Sequence, residues 1–157
     1  LVNVEIVNAG VSGDTTAGGR ARLGWALSDG PDGVIVALGA NDMLRGIEPA
    51  VARDNLDAIL AELAARDIPA LLVGVSASGN FGNSYQADFD AIFPALSGTH
   101  DVALVPDFLQ GLVDLGDHGL VVRRYLQGDG LHPNAEGVKL IVSRMGPAVL
   151  AFLETLE

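Results

Sequence analysis

Residues 34–42 have the sequence VIVALGAND, and this stretch decides the fold. Its first part, residues 34–38, is a continuous apolar run, which is typical of a central parallel strand covered on both faces. Two further runs of the same kind occupy residues 70–75 and 102–105. We therefore predict three parallel strands, the first of which ends just before Gly39, Asn41 and Asp42.

Helical patterns separate the apolar runs. In residues 49–66, apolar side chains such as Leu56, Ile59 and Leu63 recur on one helical face. Helices are also predicted for residues 20–27, 85–96 and 135–156, and alternation in residues 2–7 predicts a strand exposed on one face. Strands that alternate with helices predict one α/β domain over residues 1–157, with a parallel sheet and a site at the carboxyl ends of its strands.

The composition excludes several classes of function. Of the 157 residues 49% are apolar and 18% are charged, as in globular proteins. The net charge of −11, with nine scattered basic residues, argues against nucleic-acid binding. No cysteine is present, which excludes thiolate catalysis and disulfides. The sequence has neither a run of about 18 apolar residues nor a metal-ligand or phosphate-loop pattern, so we expect no transmembrane segment, metal or cofactor.

An aspartate and a histidine lie three residues apart in the sequence DGLHPN of residues 129–134. At this spacing one turn can bring the Asp129 carboxylate to the His132 imidazole, where it would hold one ring nitrogen and leave the other free as a base. Pro133 disfavours helical geometry at His132. The alternative is a surface aspartate and histidine in a loop before a helix, which the isolated motif favours.

Two other segments contain possible donors to an oxyanion. Asn41 follows a predicted strand, where its side-chain amide can donate to developing negative charge; the alternative is a turn-forming asparagine. Gly13, in the sequence NAGVSGD of residues 8–14, leaves its backbone N–H open to a substrate; the alternative is a tight turn. Ser12 is better explained as a loop residue bonded to its own backbone than as a nucleophile.

Three more residues are assigned structural roles. His100 and His118 lie in predicted loops without a surrounding motif, so we expect them to be solvated or hydrogen-bonded. Trp25 is expected to pack on a helix face.

The order of the motifs is more specific than any motif alone. Gly13 in NAGVSGDT, Asn41 in LGANDMLRG, and Asp129 with His132 in DGLHPN occur in this order, and the segments SGDTTAGG and FGNSYQADFDAIFP accompany them. This ordered set resembles the SGNH/GDSL hydrolase family over nearly the whole chain. The resemblance is strongest to its bacterial thioesterase I, lysophospholipase and arylesterase branch.

The resemblance implies a flavodoxin-like three-layer fold and metal-independent hydrolysis of small acyl esters or thioesters, and it favours a periplasmic or secreted location. By position, Gly13 and Asn41 match the family's oxyanion donors. His132 matches its base, and Asp129 matches the residue that orients this base.

A second region of the resemblance concerns the substrate. Residues 43–49 match a loop that borders the acyl site in this branch. The apolar side chains of Met43, Leu44 and Ile47 are therefore expected to line an acyl groove.

The family's serine nucleophile, in a Gly-Asp-Ser-Leu-type segment after the first strand, has no counterpart in residues 1–157. The resemblance therefore implies a nucleophile upstream of Leu1, in a longer chain or a separate N-terminal fragment, and an open sheet edge where that strand belongs. Without this segment the chain is expected to be nearly inert.

Two other functions remain as alternatives. One is a non-catalytic binding or scaffold protein, or an inactive truncation. The other is a carbohydrate deacetylase on the same fold, which an aromatic content of 5% weakly disfavours, because sugar sites commonly use aromatic platforms.

Overall fold

The three predicted strands form a parallel sheet in the computed structural model, which describes residues 4–156. They are β1 (Val34–Ala37), β2 (Ala70–Val73) and β3 (Ala103–Val105), in the order β1-β2-β3. The register places Ile35 beside Leu71, and Leu71 beside Ala103. The predicted parallel pairing of these segments is confirmed.

The central strand of the described sheet is β2 rather than β1. Every residue of β2 is buried, whereas on β1 Ile35 is 46% exposed and Ala37 is also exposed. The prediction that residues 34–38 form a central strand covered on both faces is therefore wrong for the described part of the chain. An apolar run favours burial, but other segments decide which of its faces are covered.

The strand predicted for residues 2–7 is absent from the described part of this segment. Residues 4–7 pair with no strand of residues 4–156, and Ile6 is 88% exposed. Val2 and Asn3 lie outside the described residues. Alternation gives a segment one apolar face, but a strand also needs a neighbour that exchanges backbone hydrogen bonds with it.

Helices connect and cover the strands. In chain order they are α1 (Thr16–Ala21), α2 (Leu23–Ala26), α3 (Ala40–Leu44), α4 (Pro49–Ala65), α5 (Asn83–Asp90), α6 (Ile92–His100), α7 (Gln110–Val113), α8 (His118–Tyr125) and α9 (Ala135–Glu154). α4 and α9 agree with their predicted bounds. The helix predicted at residues 20–27 is divided into α1 and α2, and that at residues 85–96 into α5 and α6. Within residues 4–156, no helix has the length and apolar character needed to cross a bilayer.

Different helices cover the two faces of the sheet. Alternate residues of β2 point to opposite faces. Leu72 packs into an apolar cluster with Leu60 of α4 and Phe93 of α6, whereas Leu71 packs into a second cluster with Phe152 of α9. The result is the three-layer α/β/α arrangement that the family resemblance implies.

The direction of α9 places its first turn near the carboxyl ends of the strands. Gly33 directly precedes β1, and a Cβ atom on Gly33 would lie 3.0 Å from the Phe152 ring near the end of α9. α9 has 20 residues, so it is about 30 Å long and extends past both the amino ends and the carboxyl ends of the strands. The loop before α9, which contains Asp129 and His132, therefore lies at the carboxyl ends of the strands.

Among the described residues, the side of α9 that faces away from α7 carries exposed apolar side chains. α7 packs against α9 near Arg144. Helical periodicity places Val138 and Val142 beside the stripe of α9 that faces the sheet, on the other side of this stripe from Arg144. Val138 is 46% exposed and Val142 is 58% exposed. Ile35 of β1 lies on the same face of the sheet as Leu71, which α9 covers. We call Ile35, Val138 and Val142 the β1-side surface.

Candidate active site

Asp129 and His132 form a hydrogen-bonded pair. His132 Nδ1 lies 2.7 Å from Asp129 Oδ2. Asp129 Oδ1 accepts the backbone N–H groups of Leu131 at 2.9 Å and His132 at 3.0 Å. Gly130, with φ 68°, supplies the left-handed residue of this turn. These bonds favour the ionised carboxylate, and the one from the His132 side chain does most to hold the pKa of Asp129 below its ordinary value.

This pairing leaves the second ring nitrogen of His132 available. Because Nδ1 is bonded to Asp129, Nε2 is the nitrogen that can accept a proton. The His132 side chain is 68% exposed and forms no other hydrogen bond within residues 4–156. The residues do lie at the surface in a loop before a helix, but their side chains are paired in the orientation that general-base chemistry needs.

The loop that carries the pair is anchored to α8 and α9. The His132 carbonyl accepts the Gln127 N–H at 2.7 Å. The Asn134 amide donates to the carbonyls of Arg124 at 2.8 Å and Leu126 at 3.2 Å, and the Asn134 side-chain oxygen caps the first turn of α9. His132 is thus held two residues before Asn134, the N-cap of α9.

Gly13 lies in a tight turn before α1. The Asp14 N–H donates to the Val11 carbonyl at 3.2 Å, and Gly13 has φ 77°, as the third position of a type II turn requires. Arg22 ties both flanks of the turn: its Nε donates to Asp14 Oδ2 at 2.6 Å and its Nη1 to the Ala9 carbonyl at 2.6 Å. The Gly13 N–H donates no hydrogen bond to any described residue, so it is available to a ligand.

Asn41 lies just beyond the carboxyl end of β1, in the first turn of α3. Gly39 makes this turn with φ 116°, and a Cβ atom there would lie 3.2 Å from the Phe93 ring. Glycine is needed both for the conformation and for the close approach of this ring. The Asn41 side chain is half-buried and forms no hydrogen bond within residues 4–156. Its amide is therefore free to donate to a ligand.

The neighbouring Asp42 joins three helices through a buried network. Asp42 is 1% exposed, and its carboxylate accepts Thr16 N–H at 2.8 Å and Thr16 Oγ1–H at 2.6 Å. Thr16 Oγ1 in turn accepts an N–H of the Asn55 amide at 3.2 Å. Sequence reasoning missed this network: the one signal was an aspartate directly after Asn41, and its partners lie far away in the chain.

Arg45 joins the two candidate oxyanion donors. Its guanidinium Nη2 donates to the Gly13 carbonyl at 2.8 Å. Its backbone N–H donates to the Asn41 carbonyl at 3.2 Å. The Gly13 turn and α3 are therefore held together, a contact that the sequence analysis did not identify.

The three acyl-groove candidates lie on α3 and in the loop after it. Met43 is half-buried against the larger core cluster, Leu44 is 46% exposed, and Ile47 is half-buried. The Ile47 carbonyl accepts the Tyr85 hydroxyl at 2.9 Å. Burial is the main cause that raises the pKa of Tyr85, with nearby carboxylates adding to it, so the phenol remains a donor at neutral pH. Contact of these residues with a substrate stays a prediction.

Four other residues differ from their expected positions. Ser12 is exposed and its side chain bonds to no described residue, so the expected bond to its own backbone is absent. His100 and His118 lie in α6 and α8 rather than in loops, and His100 Nε2 is 2.7 Å from Asp57 Oδ1. Trp25 is 67% exposed on α2 and is not a packing residue among residues 4–156.

The segments of the candidate site lie at the carboxyl ends of the strands. α3 follows β1 directly, Arg45 ties the Gly13 turn to α3, and the direction of α9 brings His132 to the same ends. No hydrogen bond within residues 4–156 joins the Asp129–His132 loop to the other two segments, and no described serine is bonded to His132. The arrangement holds a candidate base, a residue that can orient it, and two candidate hydrogen-bond donors, a set of groups that acyl-transfer chemistry can use.

Comparison with known proteins gives one family. The model of the GDSL-like lipase/acylhydrolase family matches residues 2–140. Esterase TesA of Pseudomonas aeruginosa is 34% identical over 150 residues, which are 95% of this chain and 71% of that protein. Thioesterase 1/protease 1/lysophospholipase L1 of Escherichia coli K12 is 36% identical over 142 residues, which are 90% of this chain. The chain spans 65% of the length of this second relative.

A solved structure shares the fold. The crystal structure of AlinE4, described as an SGNH-hydrolase family esterase, is 46% identical in sequence and superposes with a TM-score of 0.73. The match covers 96% of this chain and 77% of the AlinE4 chain.

Proposed function

The chain belongs to the GDSL-like lipase/acylhydrolase family, and we propose that it supplies the base and the oxyanion donors of a serine hydrolase that cleaves carboxylic ester or thioester bonds. The observation that carries this proposal is the 2.7 Å contact of Asp129 with His132. The pair lies at the carboxyl ends of the strands, where Asn41 also lies. The pair directs the unbonded Nε2 of His132 to act as the base.

In the proposed reaction a serine Oγ attacks the acyl carbonyl carbon, and His132 Nε2 takes the hydroxyl proton. The carbonyl electrons move to oxygen, and the resulting oxyanion accepts hydrogen bonds from the Gly13 N–H and the Asn41 amide. His132 then gives its proton to the departing alcohol or thiol as the C–O or C–S bond breaks. Water repeats the sequence on the acyl-serine and releases the acid. Asp129 holds the His132 tautomer and stabilises the imidazolium throughout.

The serine is proposed to lie on a strand–turn–helix segment that precedes Leu1. The free edge of β1 and the exposed β1-side surface support this proposal, as does the lack of a bond between His132 and any serine of residues 4–156. In a flavodoxin-like sheet of strand order 2-1-3-4-5, the first strand lies between the second and the third. A strand in that place would pair with β1 on one side and with residues 4–7 on the other.

The proposed substrate carries a short- to medium-chain acyl group. The partly exposed side chains of Met43, Leu44 and Ile47 lie beside Asn41, and apolar side chains in such a position favour an acyl chain because they remove it from water. The names of the relatives, an esterase and a thioesterase/lysophospholipase, agree with an ester or thioester as the reacting group.

An organophosphonate probe tests the proposal in the full-length protein. We expect one adduct, on a serine upstream of Leu1, and hydrolysis of p-nitrophenyl butyrate. His132→Ala should abolish both signals. His100→Ala is the matched control, because His100 is also bonded to an aspartate at 2.7 Å, but it lies at the end of α6 and its partner Asp57 lies on α4. An adduct at Ser12 would overturn the site assignment, and a folded full-length protein that takes no label would favour a binding protein.

A further inference from the structure

Arg45 connects the two proposed oxyanion donors, although it touches neither donating atom. Its backbone N–H bonds to the Asn41 carbonyl one turn earlier in the chain, and its guanidinium bonds to the Gly13 carbonyl, 32 residues earlier, at 2.8 Å. Among the described residues, its guanidinium has no carboxylate partner. The Arg45 guanidinium therefore binds the Gly13 carbonyl and forms no ion pair with a described residue.

The Gly13 turn depends on such external ties. Its own internal bond, from the Asp14 N–H to the Val11 carbonyl, is 3.2 Å long, and Gly13 is exposed. Glycine at a positive φ has wide freedom of rotation, so this turn alone does not hold the direction of its N–H group. Arg22 fixes the flanks at Ala9 and Asp14, which leaves the Gly13 peptide itself to Arg45.

We propose that Arg45 is a positioning residue that sets the direction of the Gly13 N–H relative to the Asn41 amide. This inference rests on the proposed function for its catalytic consequence. Holding the Gly13 carbonyl limits rotation of the peptide plane after Gly13. Together with the Asp14-to-Val11 bond that closes the turn, this restricts the direction of the N–H on the other side of the residue. An oxyanion donor that is displaced by a fraction of an ångström stabilises the transition state less, while binding of the ground-state ester is little affected.

The position of Arg45 also links the oxyanion donors to the acyl side of the site. Arg45 lies between Leu44 and Ile47, in the segment that is expected to border the acyl group. The Ile47 N–H bonds to the Asp42 carbonyl at 3.0 Å, and Tyr85 holds the Ile47 carbonyl. An acyl chain that displaces this segment would therefore move Gly13 through Arg45.

Four proteins test the inference: the full-length wild type and its Arg45→Met, Arg45→Lys and Arg53→Met variants. Arg53 is the matched control, because it is an exposed arginine of α4 whose guanidinium bonds to the adjacent Asp54. We expect Arg45→Met to lower kcat for p-nitrophenyl butyrate by about 10–100-fold, with KM changed by less than about twofold. Tm should change little, because exposed polar contacts contribute little to stability. Arg45→Lys should recover part of kcat, and Arg53→Met should match the wild type.

A second measurement does not depend on activity. The backbone amide resonances of Gly13 and Asp14 should shift in Arg45→Met, and not in Arg53→Met, without any substrate. Unchanged kcat, or a raised KM at unchanged kcat, would overturn the positioning role and in the second case indicate direct substrate binding. A loss of kcat that tracks a fall in Tm, with no recovery by lysine, would mean a structural role. If the wild type hydrolyses no ester, the proposed function fails. The positioning role of Arg45 is tested separately, and it is overturned if the Gly13 and Asp14 resonances do not shift in Arg45→Met.

Discussion

Asn41 combines a half-buried position with a side-chain amide that no described residue uses. Polar side chains in such positions are usually satisfied by the protein itself, so a free amide beside a glycine turn suggests a ligand contact. Asp129 and His132 differ from Asn41 in this respect, because they satisfy one another and leave only Nε2 of the imidazole open.

The first prediction concerns the amide of Asn41. Asn41→Ala in the full-length protein should lower kcat by about 10²–10³, the loss found when one oxyanion donor is removed. Asn41→Asp should cause a loss at least as large, because it keeps the shape but replaces the donor with a negative charge. Steady-state kinetics checks both variants. An aspartate variant with near-wild-type kcat would remove Asn41 from the mechanism.

The second prediction concerns pH. His132 must be neutral to accept a proton, so kcat/KM should fall on acidification as the imidazole protonates. The hydrogen bonds from His132 and Leu131 keep the pKa of Asp129 below its ordinary value, so Asp129 stays ionised at mildly acidic pH. The acid limb should therefore have a slope of one down to about pH 4.5. A slope of two in this range would contradict the assignment, provided that circular dichroism shows an intact fold.

The same pKa shift has a consequence for stability. Because the folded-state pKa of Asp129 is lowered, its contribution to stability is present above the unfolded-state value of about 3.9. This contribution is lost as the pH falls through the folded-state pKa. Asp129 is solvent-exposed, so the activity profile is a better measure of its role than the free energy of unfolding.

At the scale of elements, the packing of α1, α3 and α4 around the site depends on one buried threonine. Thr16 Oγ1 donates to Asp42 and accepts from Asn55, and Thr16 itself is fully buried. The carboxylate also accepts the first N–H of α1, which favours negative charge at that helix terminus. The turn that carries Gly13 leads directly into this helix.

We predict that Thr16→Val lowers the free energy of unfolding by about 1–3 kcal/mol, because it keeps the volume but leaves Asp42 Oδ1 and the side-chain N–H of Asn55 without their hydroxyl partner. Thr99→Val is the matched control. Thr99 also lies in a helix, but it is exposed and its hydroxyl bonds to the Ala95 carbonyl, so its change should stay within about 0.5 kcal/mol. Urea denaturation measures both. Equal effects would mean that the buried network contributes nothing specific.

At the scale of the whole molecule, the sheet is covered unevenly. Among residues 4–156, one face is covered by α4, α5 and α6 and the other by α9, and Ile35 on β1 is left 46% exposed. β1 also presents a free edge within the described sheet. Exposed apolar surface next to a free strand edge favours association with another segment or chain.

The last prediction concerns this β1-side surface. The 157-residue chain by itself should bind the dye ANS and self-associate, and Val142→Lys should reduce both. Val113→Lys is the matched control, because Val113 and Val142 are equally exposed, at 58%, but Val113 lies on α7 at the β3 side. Fluorescence and light scattering provide the measurements. A chain that is monomeric and binds no dye would contradict both the surface assignment and the proposed upstream strand.

Features that depend on local interactions followed from the sequence. The apolar runs of β1, β2 and β3 predict strands because a short, continuous apolar run is typical of a strand in a buried parallel sheet. The Asp129–His132 pair is predictable because its residues are three apart and one turn closes the contact. The ordered motifs at Gly13, Asn41 and His132 identify the family although each is weak alone.

Features that depend on contacts between distant residues were decided only by the tertiary structure. Residues 34–38 and 70–75 both lack polar side chains, but only β2 lies between two described neighbours and is covered on both faces. The bond of Arg45 to Gly13 and that of Thr16 to Asp42 span 32 and 26 residues. No periodicity or turn signal encodes such pairs, because their existence depends on how β1 and its flanking helices pack. Local sequence patterns thus determined the elements and the chemistry of single loops, while packing determined which loops share a site and which faces remain open.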